Sequence, residues 1–491
     1  MPCRQRPAGG FVAVVTKQIE AGRALADIYP VRFCTLCRKE DAMSKQRIQL
    51  SDHFTYPRLL RFVLPCIGTM LFTSIYGIVD GLCVSNFVGK TAFAAVNLIM
   101  PLPMLLGTIG FMLGTGGSAI VGITLGEGDQ KKADRYFTLF LLAALVSVSV
   151  LAVLGIVFLR PIAVLLGAKG ELLDYAVRYG RILMVSLPTF ALQNMFQSFF
   201  VTAEKPHLGF WFTVGAGCTN MVLDVLMVGV WGWGVEGAAI ATFISQLVGG
   251  VLPVFYFIDR SNTSRLHLCQ TKVYGGVLRD ACINGSSELM TNLSMSLVNI
   301  LYNYQLLRLA GENGVAAYGV IMYAAFLFVA VFVGYAVGSA PIVSFHYGAR
   351  NHAEVHNLYR KSLRLIAVVA VTLTLASMFI IPCVARVFVG YDAELLALTS
   401  RAFRLYALSF LIMGFNVYAS SFFTALGDGV TSALISFLRT LAFQVIAILL
   451  LPMLLGIDGI WLAVTAAELA ALAVSTAMLL TKDKVFHYRK A

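Results

Sequence analysis

About a dozen apolar segments, each of roughly 20 residues or more, constrain the fold of this chain more than any other feature. The chain has 491 residues, of which 58% are hydrophobic and only 13% are charged. A soluble core could bury a few such segments, but a dozen require lipid as their solvent. Only helices and closed barrels pair every backbone polar group in lipid. The segments are too long and too continuously apolar for barrel strands, which predicts an all-α integral membrane protein.

The pattern predicts twelve transmembrane helices separated by polar connections. The predicted spans are 58–86, 95–122, 136–159, 179–202, 207–231, 234–257, 277–307, 315–344, 362–385, 403–425, 432–454 and 459–481. Residues 1–42 form a basic leader that we expect to be disordered or absent from the native protein. Residues 482–491 form a basic tail.

The sequence contains two copies of one unit. At an offset of 222 residues, Gly116 matches Gly338 and Gly126 matches Gly348. Each copy holds six predicted helices, and an even number returns the chain to its starting side, so the copies share one orientation. We therefore expect two six-helix bundles related by a pseudo-twofold axis along the membrane normal, with a central cavity between them. The predicted segments are a first lobe at 43–257, a cytoplasmic connecting loop at 258–276 and a second lobe at 277–481.

The net charge of +12 is explained by membrane topology. The loops and termini on one side of the predicted bundle carry roughly twice as many lysines and arginines as those on the other side. The positive-inside rule then places both termini in the cytoplasm of a multi-pass protein of the plasma or bacterial inner membrane. The lipid bilayer is the expected surrounding, and no nucleic acid partner is expected.

Two carboxylates lie inside apolar runs, Asp80 in the first span and Asp224 in the fifth. A charge in hydrocarbon costs several kcal/mol, so such residues are paired or functional. Counted at 1.5 Å per residue, they lie about 9 and 10 Å from the outer ends of their spans. Asn220 shares the helix face of Asp224, and Thr242 reaches a similar depth. The set suits a Na⁺ ion or a carboxylate pair that shares a proton; the structural alternative is simple hydrogen bonding between helices.

The acidic pair belongs to the first lobe only, because the repeat position of Asp80 is Tyr302. Tyr302 and two further acids are candidates for substrate or accessory roles. Glu288 lies in the seventh span and Glu468 in the middle of the twelfth. Arg439 in the eleventh span is a candidate partner that would neutralise Glu468.

The chain resembles the MATE (multidrug and toxic compound extrusion) transporters over about residues 55–482. The resemblance is carried by Pro65 and Asp80, fifteen residues apart, and by the glycine-rich end of the second span, GTGGSAIVGITLGEGDQKKADRYF. It continues in Asn220-Met-Val-Leu-Asp224 and in the following GVEGAAIATFISQ, which contains Thr242. These motifs are specific in combination.

The resemblance implies a V-shaped central cavity and the export of organic cations in exchange for Na⁺ or H⁺. It further implies a first-lobe cation site that matches Asp80, Asn220, Asp224 and Thr242. By the same resemblance, Asn194 is a polar residue near this site and Pro65 is a helix kink. Glu288 lies near a seventh-span acid used in other branches, although its context NGSSELMTNL lacks their preceding proline.

These observations predict a secondary active antiporter that exports organic cations or multiple drugs by alternating access. No cofactor is expected beyond the coupling ion, Na⁺ or H⁺, and a monomer is expected. The alternatives are a lipid-linked saccharide flippase of the same superfamily or, from another class, an ion channel or membrane sensor. A flippase cavity would be cationic, whereas lysine and arginine are nearly absent from the middle of the spans. An enzyme is not expected, because no nucleophile–base pair, metal motif or phosphate loop has convincing spacing.

Overall fold

The computed structural model describes residues 48–88, 90–390 and 392–489. The predicted leader at 1–42 lies outside these ranges. So do several side chains within helices, including that of Asp80. Every regular element in the described ranges is helical, which confirms the predicted all-α class.

The helices have lengths and spacings that follow the apolar segments. In chain order they are α1 (Tyr56–Phe87), α2 (Lys90–Ile99), α3 (Pro101–Gly126), α4 (Gln130–Leu165), α5 (Glu171–Thr202), α6 (Pro206–Asp224), α7 (Gly234–Gly250), α8 (Leu252–Ile258), α9 (Gly275–Gly348), α10 (His352–Val389), α11 (Ala393–Ala407), α12 (Phe410–Ala425), α13 (Gly429–Phe437), α14 (Phe443–Leu455), α15 (Ile457–Thr481) and α16 (Asp483–Phe486). Short π-helical turns, Val225–Val230 and Leu438–Ala442, extend α6 and join α13 to α14.

Among the described residues, nine helices are individually long and apolar enough to cross a membrane, or ten if the bent pair α11 and α12 is one span. The 74-residue element α9, counted once among them, consists of two passages that meet at a kink, because Gly311 has non-helical angles (φ 60°, ψ −150°). Glycine reaches this region without the steric penalty of a Cβ atom. Helix α5 is also long enough, at 32 residues, but it buries Gln193 and Asn194. Dividing α9 and including α5 gives twelve passages.

The connection between the second and third passages is built in the same way in both lobes. Asp129 caps α4 by accepting a hydrogen bond from the Lys132 amide, and Asn351 caps α10 by accepting one from the Glu354 amide. Side-chain caps of this kind satisfy amides that have no partner within the helix. Since Asn351 is the 222-residue equivalent of Asp129, the two turns are copies of one structure.

The contacts between lobes are also reciprocal. A Cβ atom added at Gly116 of α3 would lie 2.9 Å from the Cα of Gly285 in the first half of α9. One added at Gly338, in the second half of α9, would lie 2.9 Å from a methyl carbon of Val63 in α1. Gly338 and Gly285 are the repeat equivalents of Gly116 and Val63. The two contacts therefore exchange under the predicted pseudo-twofold axis.

These contacts gather near one end of the helices, where α1 begins and where α3 and α9 end; we call it the basic end. Residues 50–54, the strap, cross this end before α1. The Leu50 amide donates to Glu204, in the turn after α5, at 2.9 Å. The Phe54 amide donates to Glu354, at the start of α10, at 2.8 Å. The strap thus bonds both lobes.

A second link at the basic end runs through Arg265 in the loop between the lobes. Its guanidinium group donates to Glu204 at 2.6 Å and lies 5.0 Å from the centre of the Phe345 ring in α9. Because arginine stacks on aromatic faces as well as pairing with carboxylates, one side chain contacts both lobes. The basic end is closed in this structure.

Candidate functional site

The candidate site is a buried polar layer of the first lobe, formed by α6 and α7. Asn220 and Asp224 lie one turn apart on α6, and their exposed fractions are 2% and 0%. The amide nitrogen of Asn220 lies 3.5 Å from the hydroxyl oxygen of Thr242 on α7. The structure therefore places three of the four residues predicted for the cation site in one layer.

Helix α6 changes its hydrogen-bonding pattern at this layer. Asp224 is the last α-helical residue, and the π-helical turn Val225–Val230 follows it. The Trp231 amide closes this turn on the Leu226 carbonyl at 2.8 Å. π-Helical turns are rare in proteins. Those that occur are frequently found at functional sites, because they shift the side chains out of regular register.

Several buried polar atoms near the layer have no hydrogen-bond partner within the part of the chain that the structure describes. They include the amide oxygens of Asn220 and Gln246 and the amide nitrogen of Asn194 on α5. An unsatisfied buried group costs about 1–3 kcal/mol. The oxygen atoms have the chemistry that hard cations and water prefer, so the first lobe has unused capacity to bind a small ligand.

The fourth predicted residue, Asp80, belongs to α1 by its backbone, but its side chain lies outside the described residues. Its place in the layer stays a prediction. Pro65, also in α1, is buried inside a continuous helix. No group of three or more His, Cys, Asp or Glu residues that could hold a metal occurs in the part of the chain that the structure describes. An ion here would need amide and hydroxyl oxygens in addition to carboxylate.

The second lobe contains a buried acid whose negative charge is balanced by neighbouring side chains. Glu468 on α15 is 1% exposed and accepts a hydrogen bond from Asn416 at 2.7 Å. The guanidinium group of Arg439, in the second π-helical turn, lies 3.3 Å from its other oxygen. Sequence reasoning anticipated the arginine but missed Asn416. The repeat would have revealed it, because Asn416 and Glu468 are the equivalents of Asn194 and Gln246.

The remaining candidates also lie in the second lobe. Tyr302, at the repeat position of Asp80, is buried, and its ring stacks on Tyr318 with centres 4.9 Å apart. Glu288 on α9 is partly buried and lies within electrostatic range of Arg439. The two lobes thus differ in their acids: the second lobe pairs Glu468 with Arg439 and has the aromatic ring of Tyr302 at the repeat position of Asp80.

Two pseudosymmetric helical lobes, each with a polar layer buried among apolar spans, define a multi-pass membrane transporter fold. The MatE family profile matches residues 65–226 and 289–450, one match in each lobe. Together the two matches cover more than half of the chain. The protein therefore belongs to the MatE family.

Curated relatives match over nearly the whole chain. Multidrug export protein MepA of Staphylococcus saprophyticus is 21% identical over 433 residues, which cover 87% of this chain and 94% of that protein. MepA of Staphylococcus aureus strain MSSA476 is 21% identical over 432 residues, which cover 88% and 95%.

Solved structures share the fold. A structure described as the outward-facing conformation of a multidrug resistance MATE family transporter has a TM-score of 0.83 at 22% identity, covering 87% of this chain and 96% of that chain. A structure described as a MOP superfamily transporter from Pyrococcus furiosus, whose binding pocket has reverse polarity, has a TM-score of 0.81 at 22% identity, covering 88% of this chain and 96% of that chain. These matches confirm the predicted arrangement of twelve transmembrane helices in two bundles.

Proposed function

We propose that this protein exports small organic cations in exchange for Na⁺ or H⁺, by alternating access, from a membrane in which both termini are cytoplasmic. Its membership of the MatE family and the naming of its relatives as multidrug export proteins support the export of drugs. The lysine and arginine residues at the basic end support the placement of both termini in the cytoplasm.

The observation that carries the proposal is the layer of buried Asn220 and Asp224 and half-buried Thr242, in which the Asn220 amide oxygen has no hydrogen-bond partner among the described residues. A carboxyl group in this setting is cheaper to bury when a proton or a Na⁺ ion neutralises it. The conformation that buries the layer is therefore favoured when the ion is bound. A ligand shifts a two-state equilibrium only through such a difference in affinity.

The closed basic end supplies the other half of the proposed cycle. The strap bonds Glu204 in the first lobe and Glu354 in the second, and these bonds would have to break for the cavity to open on that side. Ion binding at the layer and opening of the basic end would then shift the equilibrium between the two conformations in opposite directions. An organic cation and the coupling ion would use the same conformational change.

The charge of the second lobe supports a cationic cargo over the anionic lipid-linked saccharide of a flippase. Arg439 is a cation inside a span, and it is engaged by Glu468 at 3.3 Å. The Arg439 side chain is only 12% exposed, so little of it is available to bind a pyrophosphate. A cation could instead stack on aromatic faces of the lobe.

The test is transport in proteoliposomes. A fluorescent organic cation and, separately, a fluorescent polyprenyl pyrophosphate are supplied under imposed Na⁺ or pH gradients. We expect the parent to move the organic cation in response to one gradient and Asp224→Asn to lose that response. Glu236→Gln is the matched control, since Glu236 is exposed and pairs only loosely with Arg178 at 3.6 Å. Transport of the pyrophosphate alone, or full coupling in Asp224→Asn, would contradict the proposal.

A further inference from the structure

A groove of about 520 Å³ runs along the outside of the first lobe, between α1 and α6. It starts at the basic end and is separate from the polar layer of Asn220 and Asp224. Its walls combine apolar side chains with two basic ones. The lining residues are Pro57, Leu60, Arg61, Leu64, Pro65, Gly68, His207 and Phe210.

The helical register shows which way the groove faces. Pro57, Arg61, Leu64 and Gly68 recur at intervals of three and four residues and therefore form one stripe of α1. The opposite stripe, which includes Val63, is buried against α9. Leu64 is 57% exposed, which in a membrane helix means exposure to lipid. The groove opens toward the bilayer and away from the other lobe.

The groove has an uncompensated arginine and a histidine ring at one end. Arg61 and His207 are both exposed there, and neither has a hydrogen-bond or ion-pair partner among the residues that the structure describes. The nearby acid Glu204 is already engaged by the Leu50 amide and by Arg265. Basic pockets between transmembrane helices are sites where anionic lipid head groups bind.

The length of the groove fits one leaflet. From Pro57 to Gly68 the helix rises about 16 Å at 1.5 Å per residue. This is close to half of a hydrocarbon core of about 30 Å. Arg61 and His207 lie near the polar end of this length, whereas Leu64 and Gly68 continue toward the middle. At Gly68 the missing side chain keeps the deep end open, since an added Cβ atom would lie 3.1 Å from the Phe210 ring.

We propose that this groove binds one anionic phospholipid of the leaflet at the basic end. The phosphate group would lie between Arg61 and His207, and an acyl chain would follow Leu64 and Pro65 toward Gly68. Pro65 has no amide hydrogen, so α1 lacks a backbone hydrogen bond at this point. The lipid therefore packs against a turn of α1 that lacks one backbone hydrogen bond, and it favours the present geometry of this turn. Binding does not depend on which ion drives transport.

Trp211 provides a reporter, because it is 58% exposed and its ring centre lies 5.4 Å from that of the groove residue Phe210. The double variant Trp231→Phe/Trp233→Phe leaves Trp211 with only Trp461, which is 1% exposed. Lipids with brominated acyl chains quench nearby tryptophan. The variant is reconstituted in phosphatidylcholine vesicles that contain either brominated phosphatidylglycerol or brominated phosphatidylcholine at the same mole fraction.

We expect brominated phosphatidylglycerol to quench Trp211 at a concentration at least fivefold lower than brominated phosphatidylcholine. Arg61→Gln and His207→Gln should each weaken this preference, by about fivefold for the arginine. Arg360→Gln is the matched control, because Arg360 is exposed near the start of α10 and lies outside the groove. Leu64→Phe, which narrows the groove without changing charge, should also weaken quenching by phosphatidylglycerol.

Variants are compared only when they elute as monodisperse protein. Equal quenching by the two lipids in the parent would overturn the proposal. So would an equal loss of preference in Arg360→Gln and Arg61→Gln, since attraction would then come from the whole basic surface. Displacement of the brominated lipid only by added protein would indicate a second copy of the chain in the groove and would also overturn it.

Discussion

Gly126 and Gly348 are equivalent glycines of the two repeats, and each packs into the lobe of the other. A Cβ atom added at Gly126 would lie 2.7 Å from the amide nitrogen of Ala349. One added at Gly348 would lie 2.7 Å from the carbonyl carbon of Ile123. Small residues at helix crossings allow backbones to approach closely. The closed basic end therefore depends on the absence of two side chains.

Replacing either glycine should open the basic end. Gly348→Leu forces a side chain into backbone atoms, which costs about 1–3 kcal/mol when the structure has to move. We expect faster amide hydrogen exchange over residues 341–349 than in the parent. Gly319→Leu in the same helix α9 is the control, because a Cβ atom there meets nothing within 4 Å. Unchanged exchange in Gly348→Leu would show that the lobes do not rely on this contact.

The strap should contribute to stability through Glu354. This side chain is 7% exposed and accepts from the Phe54 amide and from Asn357, both at 2.8 Å, while His53 lies 2.6 Å away. Glu354→Ala leaves buried donors without partners, at a cost of about 1–3 kcal/mol. The midpoint of thermal unfolding in detergent should fall, and it should fall less in Glu354→Gln. The exposed Glu312→Ala should leave it unchanged; an equal effect in both alanine variants would refute the role of the strap.

The pair of Arg439 and Glu468 should show strong coupling between its two members. Their side chains are 12% and 1% exposed, so removing either one leaves an uncompensated buried charge, which costs about 3–5 kcal/mol. Arg439→Met and Glu468→Met should each lower the free energy of unfolding by about this amount. The double variant should lose much less than the sum. Additive losses in this double-mutant cycle would mean that the two charges act independently.

Asp428, which lies in the turn before α13 and outside the membrane-spanning helices, should make the stability of the folded protein depend on pH. Burial alone would raise its pKa, but hydrogen bonds from Lys482 and Thr431 bring the pKa below its ordinary value. Lys482 lies 2.8 Å from the carboxylate. A lowered folded pKa contributes stability that is complete above the unfolded value of about 3.9 and is lost as the pH falls through the folded value.

Asp428→Asn should therefore cost about 1 kcal/mol at neutral pH, and the difference from the parent should vanish in acid. Asparagine is as good a helix cap as aspartate, so the substitution isolates the ion pair. Asp392→Asn, at the cap of α11, is the control without a lysine partner. Thermal unfolding measured from pH 7 down to pH 2 checks this, because the loss of stability begins near the unfolded pKa of about 3.9 and continues below it. A difference that does not shrink over the acidic part of this range would contradict the assigned pKa shift.

The fold was largely predictable because hydrophobic length and the repeat offset are properties of the chain itself. The predicted loop at 258–276 corresponds to the gap between α8, which ends at Ile258, and α9, which begins at Gly275. The predicted spans 277–307 and 315–344 correspond to the two halves of α9, which are separated at Gly311 by its non-helical angles. The position of this break was not predictable, because glycine accepts helical and non-helical angles alike.

Part of the candidate site was predictable from spacing and depth. The spacing of Asn220 and Asp224 indicates a shared helix face, and the estimated depth of Thr242 on the next helix matches theirs. The strap was missed because its bonds join residues some 300 positions apart, such as Phe54 and Glu354. The π-helical turn after Asp224 was also missed, since no residue type is specific for it. The groove between α1 and α6 was not predicted, because it forms only where these two helices lie side by side. The sequence of neither helix alone indicates it.

The most direct test of the account is whether an organic cation and the coupling ion exclude each other at the Asp224 layer. Binding of a fluorescent organic cation to the purified protein is titrated across pH and Na⁺ concentration in weakly buffered solution. The account predicts that the parent releases protons, or requires higher organic-cation concentration as Na⁺ rises, and that Asp224→Asn does neither. Equal binding by both proteins, independent of pH and Na⁺, would contradict it.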